Sequence, residues 1–276
     1  MKHTSTIFLF IVSTSIAQSQ QYKNSIAAPY IGLNAYTAGA NNALVQNSNI
    51  AAIAFTTSSN VAVYTEQRFG LAQLRNVNMA VALKAKNAGY GIQANSFGTS
   101  GFTENNIGIS YARLLGSKVA LGAKVNYYNQ NIAGYGNSSA ITAEAGLLLQ
   151  LTPKLTSGVS VYNPTSTVFG ASKTEKLVSI YKFGLGYTVS TKVNIVAEAV
   201  QQQGLPAYVI AAVHYQFEKN FFAKVGLSTA ANNFFVAAGV LVNNQFSLHI
   251  TASHHQQLGI SPGVMLQYSF AKNKAN

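Results

Sequence analysis

The sequence lacks the residues on which several kinds of site depend. It contains no cysteine, which excludes disulfides, thiolate metal ligands and cysteine nucleophiles. It also contains no aspartate, and its six glutamates are scattered along the chain, so no carboxylate cluster indicates calcium binding or acid–base catalysis. Neither a nucleophile-elbow motif nor a phosphate-binding loop occurs. We therefore expect a protein that is not an enzyme and that needs no cofactor.

Charge is scarce as well. Only 9% of the residues are charged, against roughly 25% in typical soluble proteins, whereas 48% are hydrophobic. Beyond the N-terminus, no apolar run reaches the roughly 18 residues that a membrane-spanning helix requires. An apolar chain without such runs can still cross a membrane as a closed β-barrel, because the strands of a barrel satisfy one another's backbone groups.

The N-terminal residues have the order of a secretory signal peptide. Lys2 and His3 precede the apolar residues 7–12, and residues 15–17 offer a cleavage site of small residues. We therefore predict a signal peptide over residues 1–17. Residues 18–59 are predicted to be a lead-in, either periplasmic or inserted as a plug into the barrel lumen, because they show only weak helical spacing.

From about residue 60 onward, hydrophobicity alternates with a period of two, which predicts β-strands. Val125 and Tyr127, for example, alternate with Lys124 and Asn126. Most of the predicted strands have the length that a tilted strand needs to cross a bilayer. Their predicted ranges are 60–66, 74–84, 88–97, 105–115, 118–130, 140–151, 154–162, 178–189, 192–202, 207–217, 221–229, 233–242, 245–253 and 262–270.

These strands predict an all-β fold: a transmembrane, antiparallel, up-and-down β-barrel of about fourteen strands over residues 60–270, followed by a tail over 271–276. Twelve strands are the alternative count, and a soluble secreted β-sandwich is the non-membrane alternative. Aromatic residues near the strand ends agree with the girdles of such barrels, although tyrosine and phenylalanine favour strands in general.

The connections between strands alternate in length. Every second one is short, whereas most of the others are predicted to be longer loops, at residues 98–104, 131–139, 163–177 and 254–261. Short periplasmic turns and longer external loops are typical of outer-membrane barrels. We therefore predict that the protein lies in the outer membrane of a Gram-negative bacterium, in contact with its lipid.

The alternation directs a set of polar side chains into the lumen. In lipid, a charge near mid-depth costs about 2–4 kcal/mol, so these residues are expected to face inward. One interpretation is that they form ion pairs within a filled barrel, and the other is that they form a stripe that binds an anion or a polar ligand. They are Lys124, Glu144, Lys182, Glu198, His214, Lys224 and His249.

Neither metal nor nucleic acid is an expected ligand. His254 and His255 are adjacent, and adjacent residues of a strand point to opposite faces, so they are not expected to chelate one ion. The formal net charge is +12, but the lysines are spread along the chain at turns and do not form one patch. That spread favours an anionic membrane surface or an anionic ligand over nucleic acid.

Four segments resemble the PorV/PorQ-like outer-membrane proteins of Bacteroidota, which are FadL-superfamily barrels. They are YTEQRFGLAQL at residues 64–74, YARLLGSKVALG at 111–122, LTPKL at 151–155 and VYNPT at 161–165. The resemblance implies a barrel of about fourteen strands whose N-terminal segment lies in the lumen. The chain departs from the family at residues 49–51, where Asn-Ile-Ala replaces the usual Asn-Pro-Ala, and at residues 271–276, which follow the last strand.

The resemblance implies two kinds of function, because some members are similar to fatty acid channels and others assist type IX secretion. The first hypothesis is a non-enzymatic accessory of type IX secretion or surface-protein export. Its external loops, above all residues 131–139 and 163–177, would bind exported protein cargo or secretion components. The alternatives are a FadL-like channel for hydrophobic small molecules and a purely structural outer-membrane barrel.

Overall fold

The computed structural model of the chain describes residues 25–37, 41–170, 175–230, 233–243 and 245–270. The predicted signal peptide and C-terminal tail lie outside these residues and stay predictions. None of the helices in the described ranges is long and apolar enough to cross a membrane.

Fourteen antiparallel strands close into a barrel, and the chain visits them in sequence order around it. The barrel strands are β1 (Asn60–Gln67), β2 (Arg75–Lys84), β3 (Ala88–Thr99), β4 (Phe102–Leu115), β5 (Val119–Ile132), β6 (Gly136–Gln150), β7 (Leu155–Tyr162), β10 (Ile180–Thr188), β11 (Val193–Gln202), β12 (Tyr208–Gln216), β13 (Phe221–Ser228), β14 (Phe234–Val242), β15 (Phe246–His255) and β16 (Gly259–Ser269). Two further short strands, β8 (Val168–Phe169) and β9 (Glu175–Lys176), pair with each other in a separate two-stranded sheet, and Phe169 is buried against Tyr128 of β5. The prediction of an all-β, up-and-down barrel of about fourteen strands is confirmed.

The barrel closes where the first strand meets the last. β1 pairs along one edge with β2 and along the other with β16, where Val63 lies opposite Leu266. Closure leaves no strand edge unpaired, which is the condition for crossing a bilayer. On the outer face the apolar side chains stay exposed, as at Ile109 (68%) and Val125 (58%). An apolar outer band of this kind is matched to lipid.

The two ends of the barrel differ, and we name them by their connections. The turn rim carries the connections 85–87, 116–118, 151–154, 189–192, 217–220 and 243–245, together with both ends of the barrel sheet. The loop rim carries the other connections, of which residues 163–179 are the longest and contain β8 and β9. Two single-turn 3-10 helices, η4 (Arg68–Gly70) and η5 (Ala72–Leu74), join β1 to β2 at the loop rim.

Three of the four predicted long loops are wrong. β3 and β4 leave only residues 100–101 between them, β5 and β6 leave only 133–135, and β15 and β16 leave only 256–258. The segment 131–139 was predicted as a loop because it lies between the predicted strands 118–130 and 140–151. Residues 131–132 and 136–139 continue the ladder instead, with Asn129 opposite Ser139 and the Asn129 side-chain nitrogen donating to the Asn137 side-chain oxygen over 2.6 Å. Strands that extend beyond the apolar band can carry polar side chains on both faces.

The part of the segment before β1 that the structure describes, residues 25–37 and 41–59, lies inside the barrel. It forms one short α-helix and three 3-10 helices: α1 (Ala28–Gly32), η1 (Leu33–Tyr36), η2 (Ala43–Asn47) and η3 (Ile50–Phe55). The main hydrophobic cluster lies between these helices and the inward face of the strands, and it includes Leu33, Leu44 and Ile53 from the segment and Val200 and Ile210 from the wall. The fold therefore brings the chain's N-terminal part and the polar residues of the lumen into one site.

Candidate functional site

The helices in the lumen form a plug, which we define as the described residues 25–37 and 41–59. Its apolar side chains are almost completely enclosed: Leu33, Ala43, Leu44 and Ile53 each have 0% exposure. Helices this short gain little stability from their own hydrogen bonds, so their packing against the barrel wall must hold them in place.

Asparagines fix the ends of the 3-10 helices. The side-chain oxygen of Asn42 accepts from the Leu44 amide over 2.8 Å, and that of Asn49 accepts from the Ala51 amide over 3.0 Å. The Asn49 side-chain nitrogen also donates to the carbonyl oxygens of Leu147 on β6 and Val159 on β7, at 3.0 and 3.1 Å. Asn49 thus caps η3 and ties it to the wall.

Glycines in the strands make room for the plug. A Cβ atom at Gly122 would lie 2.7 Å from the backbone nitrogen of Ala51, and one at Gly186 would overlap the carbonyl oxygen of Tyr36. A Cβ at Gly184 would overlap the Tyr36 ring. A glycine inside a strand often marks a place where another backbone comes close. At these inward-facing glycines, the segment that comes close is the plug.

Glu66 on β1 anchors the start of the plug. Its two carboxylate oxygens accept hydrogen bonds from the backbone amides of Ile26, over 2.7 Å, and Ala27, over 2.9 Å. The Tyr64 hydroxyl also donates to Glu66 over 3.0 Å and contacts the Thr251 hydroxyl on β15 at 3.0 Å. Charge-assisted bonds of this kind are about twice as strong as neutral ones. Glu66 therefore ties the plug to the seam region of the barrel.

Lys124 and Glu144 meet in the lumen, as their pairing on β5 and β6 requires. The Lys124 ammonium lies 3.3 Å from a Glu144 carboxylate oxygen and donates to the Gln93 side chain over 2.7 Å. The Asn126 amide also donates to Glu144, over 2.8 Å. This pair is therefore part of a polar network on the wall, which reaches the plug where Gln93 donates to Asn47.

Lys182 and Glu198 form a second, looser pair, with 4.0 Å between nitrogen and oxygen. Lys182 donates to the backbone carbonyl of Asn47, and the Tyr36 hydroxyl donates to Glu198 over 2.8 Å. Burial and the neighbouring Glu198 carboxylate raise the pKa of the Tyr36 phenol, which keeps the hydroxyl protonated as a donor. Both members of this pair hold the plug.

Lys224 on β13 lies near two histidines of the lumen wall, His214 on β12 and His249 on β15. The Lys224 ammonium donates to the Tyr30 carbonyl oxygen and to the Asn34 side chain, each over 2.7 Å. His214 and His249 flank the Phe222 ring, with ring centroids 5.4 and 4.5 Å away. No group of three metal-binding side chains occurs anywhere in the described ranges.

The structure thus places all seven predicted residues on the inward face, and three of them, Lys182, Glu198 and Lys224, contact the plug directly. The idea that they bind an external anion stays a prediction. The sequence reasoning did not select Glu66, Asn47 or Asn49. The alternation of β1 directs Glu66 into the lumen, so the sequence could have identified it. Asn47 and Asn49 could not be identified in this way, because their partners are known only once the plug is placed in the barrel.

A cavity of about 710 Å³ lies between the plug and the loop rim. This volume is in the range of sites that take small organic ligands. Its lining is mostly apolar, with Val200, Ile210 and Tyr208 from the wall and Pro29 and Tyr30 from the plug. Among the seven predicted residues, Lys182 lines the cavity; the other six are not among its lining residues. Polar side chains share the lining, among them Asn47, Arg68, Gln202 and His255, although the larger part of the cavity surface is apolar.

Comparison with known proteins gives a fold but no sequence family. No protein-family model matches the chain, and no curated protein matches it.

Solved structures do match. The toluene transporter TbuX of Ralstonia pickettii superposes with a TM-score of 0.61 at 8% identity, covering 87% of this chain and 98% of that one. The P. putida toluene transporter TodX gives 0.62 at 10% identity, covering 82% and 94%. A Pseudomonas aeruginosa FadL homologue gives 0.57 at 10% identity, covering 85% and 96%. The chain therefore shares the fold of FadL-type outer-membrane barrels.

Proposed function

We propose that the protein is a non-enzymatic outer-membrane channel that conducts hydrophobic small molecules. The mostly apolar cavity of about 710 Å³ at the loop side of the plug carries this proposal. Solved proteins with the same fold are described as a toluene transporter and a monoaromatic hydrocarbon channel, which supports the proposal at the level of fold.

The arrangement of cavity and plug suits such a route. A hydrophobic molecule that enters the cavity from the loop rim contacts Val200, Ile210 and Tyr208 instead of water. Each Å² of its apolar surface that is buried there stabilises it by about 25 cal/mol. The plug blocks the remaining path to the turn rim. Passage therefore requires the plug to move, and its contacts with the wall, such as those of Glu66, determine how readily it does so.

The proposal also includes the orientation of the barrel in the membrane. The turn rim would face the periplasm and the loop rim the exterior, as short turns and longer loops are placed in outer-membrane barrels. The leader over residues 1–17 would direct export.

The secretion hypothesis has less support. Of the two loops assigned to cargo binding, residues 131–139 are mostly strand, whereas the described residues 163–170 and 175–177 belong to the connection between β7 and β10. None of the solved structures compared above is described as a secretion protein. A relation to PorV and PorQ stays a prediction from the resemblance. A purely structural barrel would have no use for an apolar cavity next to a plug.

Toluene uptake tests the channel proposal. Ile210→Trp places a larger side chain into the cavity, whereas Val209→Trp places the same side chain on the outer face, where Val209 is 44% exposed. We expect cells that express the natural chain to take up radiolabelled toluene faster than vector controls. We expect Ile210→Trp to abolish the gain and Val209→Trp to keep it.

Uptake at the vector rate in cells with correctly folded barrel would contradict the channel proposal. Co-purification of an exported protein, lost when residues 164–176 are shortened while toluene uptake never rises above the control, would support the secretion hypothesis instead.

A further inference from the structure

Lysines are concentrated at one end of the barrel. Five of the six turns at the turn rim carry one lysine each, and all five side chains are exposed. They form what we call the lysine ring: Lys86, Lys118, Lys154, Lys192 and Lys219. The sequence shows lysines at turns, but only the barrel topology shows that these turns lie on one rim.

Within the described ranges, the lysine ring has no acidic partner. The ion pairs there are Lys124–Glu144 and Lys182–Glu198, and both lie in the lumen. Glu218, next to Lys219, is the one acidic residue that the described turns of this rim contain. Lys84, the last residue of β2, and Arg113, near the end of β4, are also exposed at this rim and add two further positive charges. The rim therefore has a strong excess of positive charge that nothing within the described barrel neutralises.

Outward-facing aromatic rings lie beside the lysine ring. Tyr90 and Tyr111 contact each other at 5.3 Å between centroids, close to the turns of Lys86 and Lys118. The turn of Lys219 is framed by Phe217 and Phe221, whose rings stack at 6.0 Å. Aromatic girdles mark the level of the lipid head groups. The ammonium groups just beyond these rings are therefore at the depth of lipid phosphates.

We propose that the lysine ring binds the phosphate groups of anionic phospholipids in the leaflet that surrounds the turn rim. The lysines extend around the barrel from the β2–β3 turn to the β12–β13 turn, and a lipid leaflet is a partner that contacts most of the circumference at once. Long, flexible lysine stems can lie along the apolar surface while the charge reaches the head groups. This binding does not depend on which molecule the barrel conducts.

Spin-labelled lipids test the proposal. The full-length mature barrel is reconstituted in phosphatidylcholine vesicles, and electron paramagnetic resonance measures the association of labelled phosphatidylglycerol relative to labelled phosphatidylcholine. We expect phosphatidylglycerol to be preferred at least about threefold at low salt, and the preference to weaken in molar salt, because surface charges are screened.

Three variants distinguish the lysine ring from charge in general. Replacing all five lysines by glutamine is expected to reduce the preference by more than half, and replacing them by arginine is expected to keep it. The matched control Arg75→Gln/Lys176→Gln, on the loop rim, is also expected to keep it. Heat-dependent mobility on gels shows that each variant is folded.

A folded natural barrel that associates equally with both lipids would overturn the proposal, and so would a preference that survives the five glutamine substitutions. Equal association with both lipids, together with binding of soluble polyglutamate that requires the five lysines, would assign the ring to an acidic polypeptide partner and would also overturn it.

Discussion

The lumen wall has two halves whose inward side chains differ in polarity, although inward and outward residues alternate in the same way along the strands of both. On β2 to β7, the inward side chains from mid-barrel to the loop rim are mainly amides, hydroxyls and charges, including Asn78, Gln93, Asn106, Lys124 and Asn126. On β10 to β14, the buried inward side chains are mainly apolar, including Val196, Val200, Ile210, Ala212 and Phe235.

The two halves hold the plug in different ways. The polar half engages it mainly by hydrogen bonds, such as those from Asn49 to β6 and β7. The apolar half combines hydrogen bonds from Lys182 and Lys224 with apolar packing, as when Phe235 stacks on Tyr30 at 4.8 Å. The cavity is lined by residues of the apolar half and none of β2 to β7. Polar side chains that bind one another fill their half of the lumen, and the apolar half leaves a space that a hydrophobic ligand can occupy.

The largest expected effect comes from disturbing the fit of the plug to the apolar half. Gly186→Val puts a side chain where the Tyr36 carbonyl oxygen lies, so we expect the plug to be displaced while the strand ladder persists. Planar bilayer recordings should then show stepwise ion conductance that the natural chain lacks. Gly101→Val is the control, because a Cβ there meets nothing within 4 Å. A closed Gly186→Val barrel would mean that the plug does not seal the lumen.

The next effect follows from charging the apolar half. Val200→Glu puts a carboxyl group in the cavity wall, and burying an unpaired charge is costly, so toluene binding should weaken at least about tenfold. Asn95→Glu makes a matched change on the polar half, away from the cavity lining, and should leave binding within about twofold. Equilibrium binding to the detergent-solubilised barrel measures both. Equal losses would show that the two halves do not differ in function.

The smallest expected effect is a difference in ligand binding between substitutions of Lys182 and of Lys124, the two lysines of the lumen ion pairs. Lys182 lines the cavity and Lys124 does not. Lys182→Gln should therefore weaken binding of a fatty acid carboxylate by about fivefold, or roughly 1 kcal/mol, and leave toluene binding unchanged, since Lys182 already donates to the Asn47 carbonyl and lies near Glu198. Lys124→Gln should change neither. Loss of fatty acid binding in Lys124→Gln would revive the idea of an anion stripe along the whole wall.

The strands were predictable because the alternation is a local property. A residue on β5 such as Lys124 or Val125 faces inward or outward by its position alone, and the chain records that choice directly. The predicted loops at 98–104 and 131–139 were wrong because local polarity cannot distinguish a loop from a strand that extends into water. Pairing between β5 and β6, which is not local, decides that question.

The site was less predictable than the barrel. The seven inward residues follow from alternation, but their partners belong to the plug, whose helices are too short to leave a periodic pattern. Two signals were present without being sufficient: asparagines before short apolar runs, at Asn42 and Asn49, and glycines on inward strand positions, at Gly122 and Gly186. Each indicates a close neighbour and does not identify it.

The anchor at Glu66 constrains the order of assembly. The plug immediately precedes β1, and Glu66 on β1 holds residues that lie only 39 and 40 positions away in sequence. The seam between β1 and β16, in contrast, joins the two ends of the barrel sheet. Contacts that are close in sequence form before those that are distant. The plug can therefore dock on its own neighbouring strand first, so that the closing seam encloses it and the finished barrel never has to be opened to admit it.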